Sequence, residues 1–142
     1  MIPAYNILSF LLISLILASC GGKESVKNSD GADTAPIGLT PQEFKSKLAS
    51  TPDAVLVDVR KPEELSEGMI DGAINIDYKD SSFTDKIQTL DKTKPYFLYC
   101  KSGKRSGDAA REMEKLGFEN LYVLEGGIKN LEDEGLERVK PH

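Results

Sequence analysis

The sequence predicts an α/β domain with a mainly parallel central sheet and helices on both faces. Short apolar runs alternate along the chain with segments whose apolar residues recur at helical spacing, the order expected of strand–helix–strand units. The runs are continuously apolar, as strands covered on both sides must be. Hydrophobic residues make up 39% and charged residues 29%, which excludes disorder over most of the chain, and 142 residues suit one domain, not two.

The chain begins with a segment that does not belong to that domain. Ile7 to Leu17 is an eleven-residue apolar run. It is too short for a membrane-spanning helix of about 20 residues, and it suits the apolar region of a secretory signal. Leu17-Ala18-Ser19-Cys20 follows, then Gly21-Gly22. This stretch resembles the bacterial lipoprotein signal, in which cleavage falls just before the cysteine. The resemblance implies that Cys20 becomes the first mature residue and carries lipid. The protein would then be held at a membrane of a bacterial cell envelope, on its periplasmic or surface face. No Lys or Arg precedes the run, which departs from the pattern. Gly21 to Ala35 is mostly Gly, Ser, Asp, Asn and Lys, a solvated tether with a coil span of roughly 20 Å. The expected division is therefore signal peptide at 1–19, lipidated cysteine and tether at 20–36, and domain at 37–140.

Within the domain, Thr40-Pro41-Gln42-Glu43 reads as a helix start, with Thr40 as cap, Pro41 at the first position and Glu43 closing a capping box. Phe44 and Leu48 then share a face. Ala54 to Val59 reads as a buried strand, and Ala73 to Ile76 as a short second one. Phe83, Ile87 and Leu90 have helical spacing. Tyr96 to Tyr99 is a strand bounded by Pro95. Ala109, Met113 and Leu116 line a helix that Gly117 ends. Leu121 to Leu124 is a further strand, and Ile128 to Glu134 a last short helix before Gly135.

Composition narrows the chemistry. A net charge of −5 argues against a general nucleic-acid binder. Two cysteines exclude a disulfide scaffold and a four-cysteine zinc site, and the lone His142 leaves no histidine for a metal centre or a triad. Neither cofactor nor metal is expected. What remains is Cys100-Lys101-Ser102-Gly103-Lys104-Arg105-Ser106, between a strand end and a helix start. Open backbone N–H groups gather there and favour thiolate over thiol at Cys100. Gly103 permits the tight curl that turns those groups inward. Lys101, Lys104 and Arg105 supply cations, Arg105 with a fork suited to an oxyanion. Ser102 and Ser106 add hydroxyl donors.

This loop resembles the active-site loop of single-domain rhodaneses, the thiosulfate sulfurtransferases. Leu56-Val57-Asp58-Val59-Arg60 is similar to the family's Asp-x-Arg strand end. Glu63 to Ile76 is similar to its central Gly-His-Ile-Pro-Gly-Ala stretch, with Met69 in place of His and Asp71 in place of Pro. Leu124-Glu125-Gly126-Gly127-Ile128 is similar to its closing Gly-Gly motif, with Leu131 where Trp is common. The resemblance runs from about Ile37 to Val139. It implies sulfane-sulfur transfer through a Cys100 persulfide, with Arg105 and the loop from Lys101 to Ser106 holding the anion, and Asp58 and Arg60 bracing the loop. The implied partners are a small anionic sulfur donor and a thiol, cyanide-like or protein acceptor.

Cysteine phosphatases and arsenate reductases use a related cradle, the phosphatases with five residues between Cys and Arg. Here Lys101 to Lys104 make four, a tighter pocket that favours sulfur. If Cys20 is lipidated, Cys100 is the only thiol left, so no internal resolving cysteine exists and an external acceptor must take the sulfur. A persulfide carrier or sensor, and a binding module without turnover, stay open at this point.

Overall fold

The computed structural model describes residues 34–131 and 135–141. The signal run, Cys20 and most of the tether lie outside these residues.

The element order is β1 (Ile37–Leu39), α1 (Pro41–Ser50), β2 (Val55–Asp58), a 3-10 turn (Pro62–Glu67), β3 (Met69–Ile70), β4 (Ile74–Asn75), α2 (Phe83–Gln88), β5 (Pro95–Tyr99), α3 (Lys104–Lys115), β6 (Asn120–Leu124), a second 3-10 turn (Ile128–Leu131) and β7 (Arg138–Val139). Five strands form one sheet in the order β1-β6-β5-β2-β4. Every neighbouring pair in it is parallel. β3 and β7 pair separately and antiparallel.

Alternate residues of the central strands feed two cores. Val57, Tyr96, Leu98, Leu121 and Val123 pack with Phe83 and Ile87 of α2 and Ala109, Ala110 and Met113 of α3. Leu56, Phe97, Tyr99 and Leu124 pack on the other face with Phe44 of α1, Ile128 and Leu131. Both faces are thus covered, which is why these strands read as unbroken apolar runs. At the head of α1 the Glu43 N–H donates to the Thr40 hydroxyl, and the Glu43 carboxylate accepts the Thr40 N–H at 2.9 Å.

Some elements differ from the sequence reading. Pro95 is the first residue of β5, where a missing N–H is tolerated. The last helix is a 3-10 turn over Ile128–Leu131, and positions 132–134 of its expected span lie outside the described residues. β1, β3 and β7 are two or three residues long, too short to leave a periodic pattern.

Because the large sheet is parallel, the carboxyl ends of β2, β5 and β6 lie along one edge. Asp58 is level with Tyr99. Cys100 follows Tyr99 directly, and Gly126 and Gly127 follow β6. In parallel sheets that edge is where ligands bind.

Candidate active site

Cys100 is fully buried and is the one free cysteine among the described residues. Its Sγ accepts the Gly103 N–H at 3.1 Å. The Ser106 hydroxyl lies 3.5 Å from Sγ and 3.1 Å from the Gly103 carbonyl, so its one proton serves either. Gly103 has φ +93°, the left-handed conformation that starts α3 and turns the loop back on the sulfur. Burial pushes the thiol up. The Ser106 hydroxyl and the N–H groups of Ser106, Ser102 and Gly103 outweigh it, and the thiol titrates below its ordinary value.

The turn after β6 forms the floor of this loop. The Ile128 N–H donates to the Cys100 carbonyl at 2.8 Å. A Cβ on Gly127 would lie 2.4 Å from the Lys101 carbonyl carbon and 2.5 Å from the Ser102 nitrogen. The two backbones touch, so Gly127 is required by close approach.

Arg105 is held by a residue that the sequence reading left without a role. Its Nη1 and Nη2 donate to the two Glu64 oxygens at 2.6 and 2.8 Å. Arg105 and the Lys61 N–H, whose hydrogen bond is 3.1 Å, hold the Glu64 carboxyl at about 2 against the cost of partial burial. Glu64 stands on the first 3-10 turn, 41 residues before Arg105. The local signal that could have found it is Pro62 at the first helical position with Glu64 at the third.

Asp58 and Arg60 are both fully buried and joined by a fork. Arg60 Nη2 donates to Asp58 Oδ2 at 2.7 Å, and Nε reaches both Asp58 oxygens at 3.0 and 3.1 Å. Arg60 also donates to the carbonyls of Glu64 at 3.3 Å and Gly68 at 2.8 Å. Its guanidinium therefore fixes the turn that carries Glu64, and Glu64 fixes Arg105. Asn75, at the end of β4, donates to the carbonyls of Asp58 and Arg60, each at 2.9 Å.

The other loop cations also face carboxylates. Lys101 Nζ is 3.8 Å from Glu67 and Lys104 Nζ is 3.7 Å from Asp108. The arrangement places a sulfur whose titration is lowered at the head of a helix, ringed by hydrogen-bond donors, a setting that suits nucleophilic attack by sulfur.

Residues 40–134 match the model of the rhodanese-like domain. A protein named sulfurtransferase from Allochromatium vinosum is 31% identical over 72% of this chain and 94% of its own length. The thiosulfate sulfurtransferase GlpE of Pseudomonas entomophila is 36% identical over 54% of this chain and 68% of its own. The crystal structure of a rhodanese-related protein from Thermoplasma volcanium superposes with a TM-score of 0.63 at 28% identity, over 74% of this chain and 99% of that one. With its fold, its cysteine loop and its sulfurtransferase relatives in agreement, this chain belongs to the rhodanese-like domain family.

Proposed function

We propose that the protein is a sulfurtransferase that moves a sulfane sulfur from thiosulfate or a related donor to a thiophilic acceptor through a Cys100 persulfide. The observation that carries this reading is the Cys100 sulfur at the head of α3, which accepts the Gly103 N–H at 3.1 Å and lies 3.5 Å from the Ser106 hydroxyl, donors that lower its titration. The four-residue spacing from Cys100 to Arg105 favours sulfur over a phosphoryl group. The Cys100 thiolate attacks the outer sulfur of the donor. A new S–S bond forms with the thiolate pair, the donor S–S bond breaks, and its pair leaves with sulfite when thiosulfate is the donor. An acceptor thiol or cyanide then takes the outer sulfur and returns Cys100 to thiolate. This is a ping-pong cycle. No second thiol is needed, since the acceptor is external.

Sulfur transfer from thiosulfate to cyanide, measured beside Cys100→Ser, tests the reading. Repeated turnover in the parent and none in the variant is the expected result. A single sulfur accepted without turnover would make the protein a carrier, and no persulfide from any donor would overturn the proposal. The Leu17-Ala18-Ser19-Cys20 run supports a lipid anchor on Cys20. Cys20→Ala should then move the protein from the membrane to the soluble fraction. Retention in the membrane fraction would remove the lipid reading.

A further inference from the structure

Arg105 has the fork that suits an oxyanion, yet in the fold that fork is occupied. Its Nη1 and Nη2 donate to both Glu64 oxygens at 2.6 and 2.8 Å, and only 20% and 22% of the two side chains is exposed. Two parallel N–H donors on one carboxylate are what a bidentate oxyanion would itself require. Glu64 is also held from behind. Its carboxylate accepts the Lys61 N–H at 3.1 Å. Its turn is tied down by Arg60, which donates to the Glu64 carbonyl at 3.3 Å and the Gly68 carbonyl at 2.8 Å from a fully buried pair with Asp58. With its carboxyl at about 2, Glu64 stays ionised at neutral pH. A donor anion reaching for the same two N–H groups would have to displace a fixed carboxylate. The other loop cations are not anchored in this way. Lys101 and Lys104 are 41% and 84% exposed, with their carboxylates at 3.8 and 3.7 Å, and Arg111 holds Asp108 more closely than Lys104 does.

The place of Arg105 in the chain shows what the clamp can do. It stands in the first turn of α3, two residues after the cap Gly103 and one before Ser106. Those two neighbours supply the donors to Cys100 Sγ, the Gly103 N–H at 3.1 Å and the Ser106 hydroxyl at 3.5 Å. Tying the side chain between them to the 3-10 turn fixes how that first turn of helix stands over the sulfur. Hydrogen bonds weaken steeply when the donor is misaligned, so a small rotation of this turn would change both contacts at once. The charged groups that face the pair are few. Cys100 and Asp77 lie within electrostatic reach of Arg105, and Arg60 within reach of Glu64.

We infer that Arg105 is a positioning residue: clamped on Glu64, it sets the first turn of α3 so that the Gly103 N–H and the Ser106 hydroxyl meet Cys100 Sγ, and its fork does not bind the sulfur donor. Glu64 is the other half of the device, contributed from 41 residues away. The effect on sulfur transfer rests on the sulfurtransferase reading; the effect on the thiol does not.

The test is a cycle of Glu64→Leu, Arg105→Met and the double variant in the full chain. The first readout is the rate of Cys100 alkylation by iodoacetamide against pH, a neutral reagent that offers Arg105 no anion. By charge alone the two single changes act oppositely: losing Glu64 removes a negative charge and lowers the inflection, and losing Arg105 removes a positive charge and raises it. By position both raise it, because each releases the donors. The expected result is an upward move in both, with alkylation below the inflection slowed about threefold or more. The second readout is sulfur transfer from thiosulfate to cyanide. Each single variant should lose about tenfold in kcat/KM, and the double variant no more than the worse single one, since the two side chains act as a unit. A lowered inflection in Glu64→Leu, or a lowered KM for thiosulfate there beside a raised KM in Arg105→Met, would overturn the inference and make Arg105 a donor-binding residue. Should Glu64→Leu fail to fold, Arg105→Lys keeps the charge without the fork. Its inflection should also rise, and one equal to the parent's would overturn the inference. No persulfide on Cys100 from any donor, with the alkylation shifts as expected, would overturn the sulfurtransferase reading and leave the positioning role standing.

Discussion

At the scale of single residues, the sulfur and one glycine are the points where small changes have the largest expected effect. Alkylation of Cys100 should follow thiolate formation, with its inflection below that of an ordinary thiol. Ser106→Ala removes a donor while burial stays, so the inflection should move up, read as iodoacetamide rate against pH. An unmoved inflection would mean that the Ser106 hydroxyl spends its proton on the Gly103 carbonyl instead. Gly127→Ala would place a Cβ inside van der Waals range of the Lys101 and Ser102 backbone, at φ +69°. It should cost about 2 kcal/mol or more and reduce sulfur transfer with it. A urea midpoint within error of the parent would show that the loop can yield.

At the scale of elements, a relay of side chains connects the β2 strand end to the loop. Asp58 holds Arg60, Arg60 holds the 3-10 turn, and Glu64 on that turn holds Arg105. Arg60→Met leaves the Asp58 carboxylate buried without its partner, a loss of about 3–5 kcal/mol. The double change Asp58→Asn/Arg60→Met should recover part of it, since no bare charge remains. Glu64 gives the relay a pH signature. Its carboxyl is held at about 2 in the fold and returns to about 4.3 in an unfolded chain. A carboxyl lowered in this way stabilises the fold above its unfolded value, and the contribution is lost as pH falls from about 5 towards 2. Glu64→Gln should therefore lose less stability than the parent across that window, by urea midpoint at each pH. Parallel losses in both proteins would show that the Arg105 pair contributes little to folding.

At the scale of the molecule, the two cores are inseparable, because Tyr96 and Leu98 point into one while Phe97 and Tyr99 point into the other. Far-UV and near-UV circular dichroism should therefore report one coincident unfolding transition; two separate transitions would mean that the faces melt independently. The same alternation explains what the sequence disclosed. The long strands were legible because double-sided burial makes continuous apolar runs, and the Cys100 loop because its donors and cations fall within seven consecutive residues. Glu64 and the floor role of Gly127 were not legible in the same way. Their partners, Arg105 and Lys101, lie 41 and 26 positions away, and such contacts have no local period.

The contact between Gly127 and the Lys101–Ser102 backbone also limits how the loop can vary. Residues 101–104 are confined between the Cys100 carbonyl, tied to the Ile128 N–H, and the first turn of α3. An inserted residue would have to bulge away from that floor or displace it. A wider cradle for a larger anion is therefore a two-site redesign, in which the loop and the 126–128 turn change length together.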